Sequence, residues 1–228
     1  MLTGIEKVQR GSLREQIQAQ IKKLILTNRL LPGQSIVIDW LASELGVSHT
    51  PVREALAMLA HEGLVRMKPY NNPRVAEIDA SDVREVWEMR LLLEGWAVGK
   101  AALSLSEDAL DKIGESLERA RQEAQHSRYD AHLEADIAMH EMILQSTDNR
   151  LFWRLAQLVS DQSFRIRSLV EAIARTEQVL GIIDEHCAIL EALRARDPEL
   201  ARERLVSHLE AGVQRTLAAL EIMTAEEE

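Results

Sequence analysis

The chain has 228 residues, 46% hydrophobic and 28% charged, with a formal net charge of −10; this excludes a disordered polymer and suits two ordinary packed domains better than one. A single cysteine, Cys187, excludes an internal disulfide framework and suits a reducing compartment. No apolar run approaches the ~18 residues of a membrane span, and the first residues lack the layout of a secretory signal. A cytoplasmic protein with no membrane partner is therefore expected.

The charge is unevenly placed. Through Ile78 there are 10 Lys and Arg against 7 Asp and Glu, which leaves 17 against 30 for the rest. A weakly basic front and a strongly acidic back are expected when one domain touches nucleic acid and the other does not. The alternative is an acidic surface that serves only solubility.

Apolar residues at Leu13, Ile17, Ile21, Leu24 and Ile25 repeat with a helical period, and Leu31-Pro32-Gly33 ends that helix in a turn. A second helix is predicted over 39–45, with Asp39 as its N-cap and Gly46 just past its end. A third runs from about 49 to 62, and Pro51 is tolerated there because it falls in the first turn. Two short apolar segments, 64–67 and 74–78, flank the turn-rich Lys68-Pro69-Tyr70-Asn71-Asn72-Pro73 and read as a hairpin. Helix, helix, tight turn, helix, hairpin is the order of a winged helix-turn-helix. Its third helix would present Ser48, His49, Thr50 and Arg53 to the major groove, where Arg53 can pair with guanine or hold a phosphate. A small helical domain that binds protein has the same spacing.

The residues themselves narrow this. Leu31-Pro32-Gly33, then the run from Leu41-Ala42-Ser43-Glu44-Leu45-Gly46-Val47-Ser48 through His49-Thr50-Pro51-Val52-Arg53-Glu54-Ala55-Leu56, and finally Glu62-Gly63-Leu64-Val65 closely resemble the DNA-binding domain of the GntR family. The resemblance covers nearly all of residues 10–78 and implies an operator-binding transcription regulator. It also implies two departures: His49, and often Asp39, stand where the family has arginines that touch DNA. Asn72 takes the place of the glycine usual at the wing tip, as a residue that tolerates a left-handed backbone.

From Ala80 onward the pattern predicts six helices, roughly 82–104, 107–126, 130–146, 149–174, 176–195 and 198–222. Ser81, Ser106, Asp130 and Asp197 are candidate caps, and the short connections favour a helical bundle. The expected architecture is thus mainly α: a winged helix-turn-helix over 1–78 and an all-α bundle of about six helices over 79–228.

Several polar residues sit on the apolar stripes of these helices. Asp136 and His140 are one turn apart on a single face. His186 and His208 lie equally far from residue 197, so antiparallel helices joined at Asp197-Pro198 would hold them at one height. One carboxylate and three imidazoles form a site for a borderline divalent metal, Zn²⁺ or Ni²⁺. The alternative is four hydrogen-bonded core residues. Arg90 also points inward, either as an anchor for a ligand or in a salt bridge with Glu94. Cys187 is turned about 100° from His186 and reads as packing. His126 and His132 read as surface residues.

This half is similar to the ligand-binding domain of the FadR branch of the GntR family, with six helices as in the VanR-like subgroup. The resemblance implies Asp136, His140, His186 and His208 as metal ligands, a small carboxylate effector and Arg90 as its second anchor. A palindromic operator and a homodimer follow from the helix-turn-helix. A metallohydrolase would need an open metal position and a catalytic base. No base is legible, so an enzyme is not expected; a regulator with a purely structural metal is the other alternative.

Overall fold

The computed structural model describes residues 13–170 and 175–225. It divides into two compact units, residues 1–77 and 78–228.

The first unit contains α1 (Leu13–Leu26), α2 (Ile38–Leu45), α3 (His49–His61), β1 (Val65–Arg66) and β2 (Arg74–Val75). The stripe Ile17, Ile21 and Ile25 is buried in a core shared with Val52, Leu56 and Leu59 of α3. Gly46 ends α2 in the left-handed region at φ 65°, which turns the chain within three residues into α3. The two strands pair antiparallel, with Val65 opposite Val75 and Arg66 opposite Arg74. Ser35 bridges to Arg74 on the other side of β2.

Two expectations are corrected here. Asp39 lies inside α2, whose N-cap position is Val37 with no side-chain cap. The left-handed residue of the wing tip is Tyr70, at φ 63°, not Asn72.

The second unit is a bundle of α4 (Ala80–Ser104), α5 (Glu107–Ala124), α6 (Asp130–Gln145), α7 (Arg150–Val170), α8 (Thr176–Arg194) and α9 (Pro198–Ala225). The two longest helices, α4 and α9, pack together, and α5 packs on both α6 and α8. The fourth predicted helix of this half extends over residues 171–174, which lie outside the described residues. The cap of α4 is Asp79 rather than Ser81: Asp79 Oδ1 accepts from the backbone N–H of Ser81 and Asp82, and the Asp79 N–H donates to Asp82 Oδ2. Asp130 begins α6 without capping it.

The turn between α8 and α9 fixes the height of the residues on either side. Asp197 Oδ1 accepts from the N–H of Glu199 and Leu200 at 3.1 and 3.0 Å. Arg196, at φ 55°, donates to the Ala102 and Leu105 carbonyls at the end of α4. The turn is therefore tied to the neighbouring helix as well as capped.

Candidate functional site

In the first unit Ser48, His49, Thr50 and Arg53 are all exposed along the start of α3, and Asn72 is exposed in the hairpin. His49 Nε2 lies 3.2 Å from Asp39 Oδ1. The two positions that depart from the family pattern thus face each other across α2 and α3, with opposite charge available when the imidazole is protonated.

In the second unit α6, α8 and α9 bring Asp136, His140, His186 and His208 together. One ligand atom from each lies within 4.8 Å of all the others, and all four residues are buried. His186 Nε2 and His140 Nε2 lie 3.1 and 3.4 Å from Asp136 Oδ1. The His186 and His208 rings are 4.5 Å apart between centroids. Arg167 pairs with the other oxygen of Asp136.

The far side of two of these rings is held by carboxylates. His140 Nδ1 donates to Glu94 Oε2 at 2.5 Å, and Arg90 Nε donates to Glu94 Oε1 at 2.7 Å. His208 Nδ1 donates to Glu185 Oε2 at 2.7 Å, and Arg215 grips Glu185 with bonds of 2.7 and 2.8 Å. Two parallel Arg–Glu–His chains result. A donor fixed at Nδ1 leaves the lone pair on Nε2 facing the cluster, the arrangement that orients metal-bound histidines.

The electrostatics suit neutral imidazoles. Burial pushes His186 and His208 well below the ordinary value of 6.5, helped by the neighbouring imidazoles. His140 is lowered by burial and partly restored by Glu94. Burial alone would raise Glu94, yet Arg90 and His140 outweigh it and hold the carboxyl well below its usual range. Glu185 is brought down to about 2 against its burial by His208 and Arg215.

The donor set fits a metal. Among the described residues, His140 Nε2 and both nitrogens of His186 are buried without a hydrogen-bond partner. Buried polar atoms in a finished core are nearly always paired, so nitrogens converging on a carboxylate oxygen answer to a coordination shell.

Beside the cluster lies a cavity of about 670 Å³ whose walls include Asp136, His208, Arg90, Arg167 and Arg215. Arg90 is 3% exposed and already engaged by Glu94. His132, expected on the surface, is buried on α6 and lines this cavity, because it falls one turn before Asp136 on the same face. His126 is exposed. Cys187 is half-buried, 3.7 Å from Arg121, and takes no part in the cluster. Glu94 was visible on its stripe; Glu185 and Arg215 carried no sequence signal, since Glu185 belongs to no apolar face.

A helix-turn-helix followed by a helical bundle with a buried Asp/His cluster is the layout of a two-domain DNA-binding regulator. Residues 13–72 match the family of bacterial regulatory proteins known as the gntR family, and residues 85–211 match the FCD domain. The chain belongs to this family: it is a DNA-binding transcription regulator of the gntR type carrying an FCD domain. It is 28% identical over 195 residues to the uncharacterized HTH-type transcriptional regulator YdhC of Bacillus subtilis (strain 168), covering 85% of this chain and 86% of that protein. It is 24% identical to the transcriptional repressor RspR of Escherichia coli (strain K12), covering 87% and 86%. The fold is also that of Escherichia coli McbR/YncC, with a TM-score of 0.79 at 22% identity over 90% of this chain and 97% of that one. The Zn²⁺-bound FCD domain of TM0439 covers 64% of this chain and 98% of its own, with a TM-score of 0.52 at 24% identity. The family is one of regulators, not enzymes. No helix among the described residues is long and apolar enough to cross a membrane.

Proposed function

We propose that this regulator acts in the cytoplasm as a homodimer on a palindromic operator, and that a small organic acid bound in the second unit changes its affinity for DNA. Residues 1–78 carry operator binding through Ser48, His49, Thr50, Arg53 and Asn72. Residues 79–228 carry effector binding and dimerisation. Asp136, His140, His186 and His208 hold a divalent metal, Zn²⁺ or Ni²⁺. The observation that carries this reading is the set of buried nitrogens on His140 and His186 that find no hydrogen-bond partner among the described residues and lie beside Asp136.

The metal, when bound, supplies positive charge at the cavity wall formed by Asp136 and His208 and so favours a carboxylate there. Glu94 and Glu185 hold the imidazoles in register, and burial keeps water from competing for them. Arg90 uses two of its donors on Glu94 and offers the rest of its fork to the acid.

The dimer reading is supported by an apolar face on the same unit. Leu92, Trp96 and Leu103 of α4 are 68, 49 and 69% exposed, and Leu151 and Leu155 of α7 are 66 and 54% exposed. Trp96 and Phe152 join the two helices, with ring centroids 4.9 Å apart. A face of this kind is covered when a second copy presents the same patch across a two-fold axis.

The test is operator binding followed by fluorescence anisotropy, with zinc content measured in parallel. His186→Ala should release zinc and abolish the effect of an added acid on DNA affinity, leaving the acid-free affinity unchanged. A variant that loses zinc yet still responds to the acid would make the metal purely structural. Wild-type protein that takes up neither Zn²⁺ nor Ni²⁺ would end the metal reading.

A further inference from the structure

Trp87 is 2% exposed, and its indole Nε1 is buried without an acceptor among the described residues. It forms part of the cavity wall, as does Gly212 on α9. A Cβ at position 212 would stand 3.1 Å from Trp87 Nε1, closer than ordinary van der Waals contact. Glycine inside a helix is unfavourable relative to alanine, so α9 is weakened at the point where space beside the N–H is kept open. The Arg90 guanidinium lies 5.3 Å from the centre of the Trp87 ring and adds positive charge to the same corner. A donor, a cation and a gap for one atom together call for an anionic oxygen.

The rest of the cavity has a different chemistry. Its wall on α9 runs from His208 to Ile222, about 20 Å at ~1.5 Å per residue, and includes Ala218 and Ala219. Val179 and Ile182 of α8 and Leu133 of α6 add apolar lining. Several polar side chains along this stretch are already committed, while Gln214 and Arg175 also line it. Thr216 Oγ1 donates to the Gly212 carbonyl at 2.9 Å, and Gln178 Oε1 accepts from the Arg175 N–H at 3.2 Å. Arg215 is held by Glu185 and Arg167 by Asp136. Hydroxyl groups spread along a ligand would meet aliphatic carbon over much of this wall and lose part of their water without replacement.

We infer that Trp87 is an effector-binding residue whose indole N–H, kept accessible by Gly212, takes an oxygen of an acid with an apolar aryl or acyl body. A polyhydroxylated sugar acid is disfavoured by the same walls. This rests on the proposal that the cavity receives a small organic acid.

Isothermal titration of the full zinc-loaded chain with phenylacetate, octanoate and gluconate tests it. Phenylacetate or octanoate should bind at least tenfold more tightly than gluconate. Trp87→Phe keeps an aromatic ring and removes the donor, so it should weaken the preferred acid by about tenfold or more, the loss expected for one hydrogen bond to a charged group. Zinc content and helical circular dichroism should not change. Gly212→Ala should weaken the acid in the same direction by closing the gap. Unchanged affinity in both variants, or tighter binding of gluconate, overturns this inference and leaves the organic-acid reading standing. If none of the three acids binds the wild-type chain, the organic-acid reading falls and takes this one with it.

Discussion

Replacing Glu94 with glutamine keeps the shape of the side chain and removes one buried negative charge. Glu94 and Arg90 are 4 and 3% exposed and 2.7 Å apart, and the carboxyl is ionised at neutral pH because Arg90 and His140 hold it low. Removing one partner of a buried pair costs about 3–5 kcal/mol, because the remaining charge is left without compensation. The glutamine oxygen still accepts one bond from Arg90, worth about 1 kcal/mol, so the expected loss is about 2–4 kcal/mol. Urea unfolding of the metal-free chain measures it. Trp87, Trp96 and Trp153, three of the four tryptophans, lie in the second unit, so fluorescence follows that unit's transition. Glu134→Gln is the control, since its 3.0 Å pair with Arg119 is exposed and should contribute nothing measurable. The same Glu94 variant should bind zinc about 10–100-fold more weakly through the loss of its bond to His140. A stability loss below about 1 kcal/mol would refute the account of Arg90 as a cation held by Glu94.

Four other outcomes are expected. Arg53→Ala should weaken operator binding by about 1–3 kcal/mol if it reads a base, and a folded variant of unchanged affinity removes it from the site; His49→Arg should alter which operator is selected in a binding-site enrichment. Leu92→Asp, on the exposed apolar face of α4, should shift sedimentation from dimer toward monomer at micromolar concentration, and a monomeric wild type would contradict the dimer itself. The metal-free chain should lose thermal stability as pH falls below 6.5: His186 and His208 stay neutral when folded but take up protons when unfolded, so the unfolded state binds more protons in that window. Glu94 and Glu185, also depressed, add loss in the same direction below about 4.5, and a melting temperature that holds constant from pH 7 to 5 would contradict the burial of these imidazoles.

The helices of both units were legible because each buries one stripe, and a period of 3.6 residues is a property of the chain alone. Gly46 was legible too, since only a residue tolerant of positive φ ends α2 and starts α3 so quickly. Asp136 and His140 share a helical face by arithmetic, and His186 and His208 share a height because a capped turn lies midway between them. Local rules failed at the start of α4. Asp79 displaced Ser81 as the cap of α4 because its carboxylate accepts from two N–H groups while its own N–H donates to Asp82 Oδ2. His132 was misplaced because proximity to charged neighbours in sequence says nothing about which face a helix buries. The partners of the cluster depended wholly on tertiary structure: Glu185 lies between stripes and acquires meaning only when α8 and α9 pack and Arg215 closes on it. Trp87 and Gly212 are 125 positions apart in sequence, and nothing in either residue announces that one leaves room for the other. Periodicity and turn chemistry act over a few residues, so the sequence by itself determined the elements and their inward faces. Which side chains meet across those faces, and the cavity they leave, was decided by how α4, α6, α8 and α9 pack together.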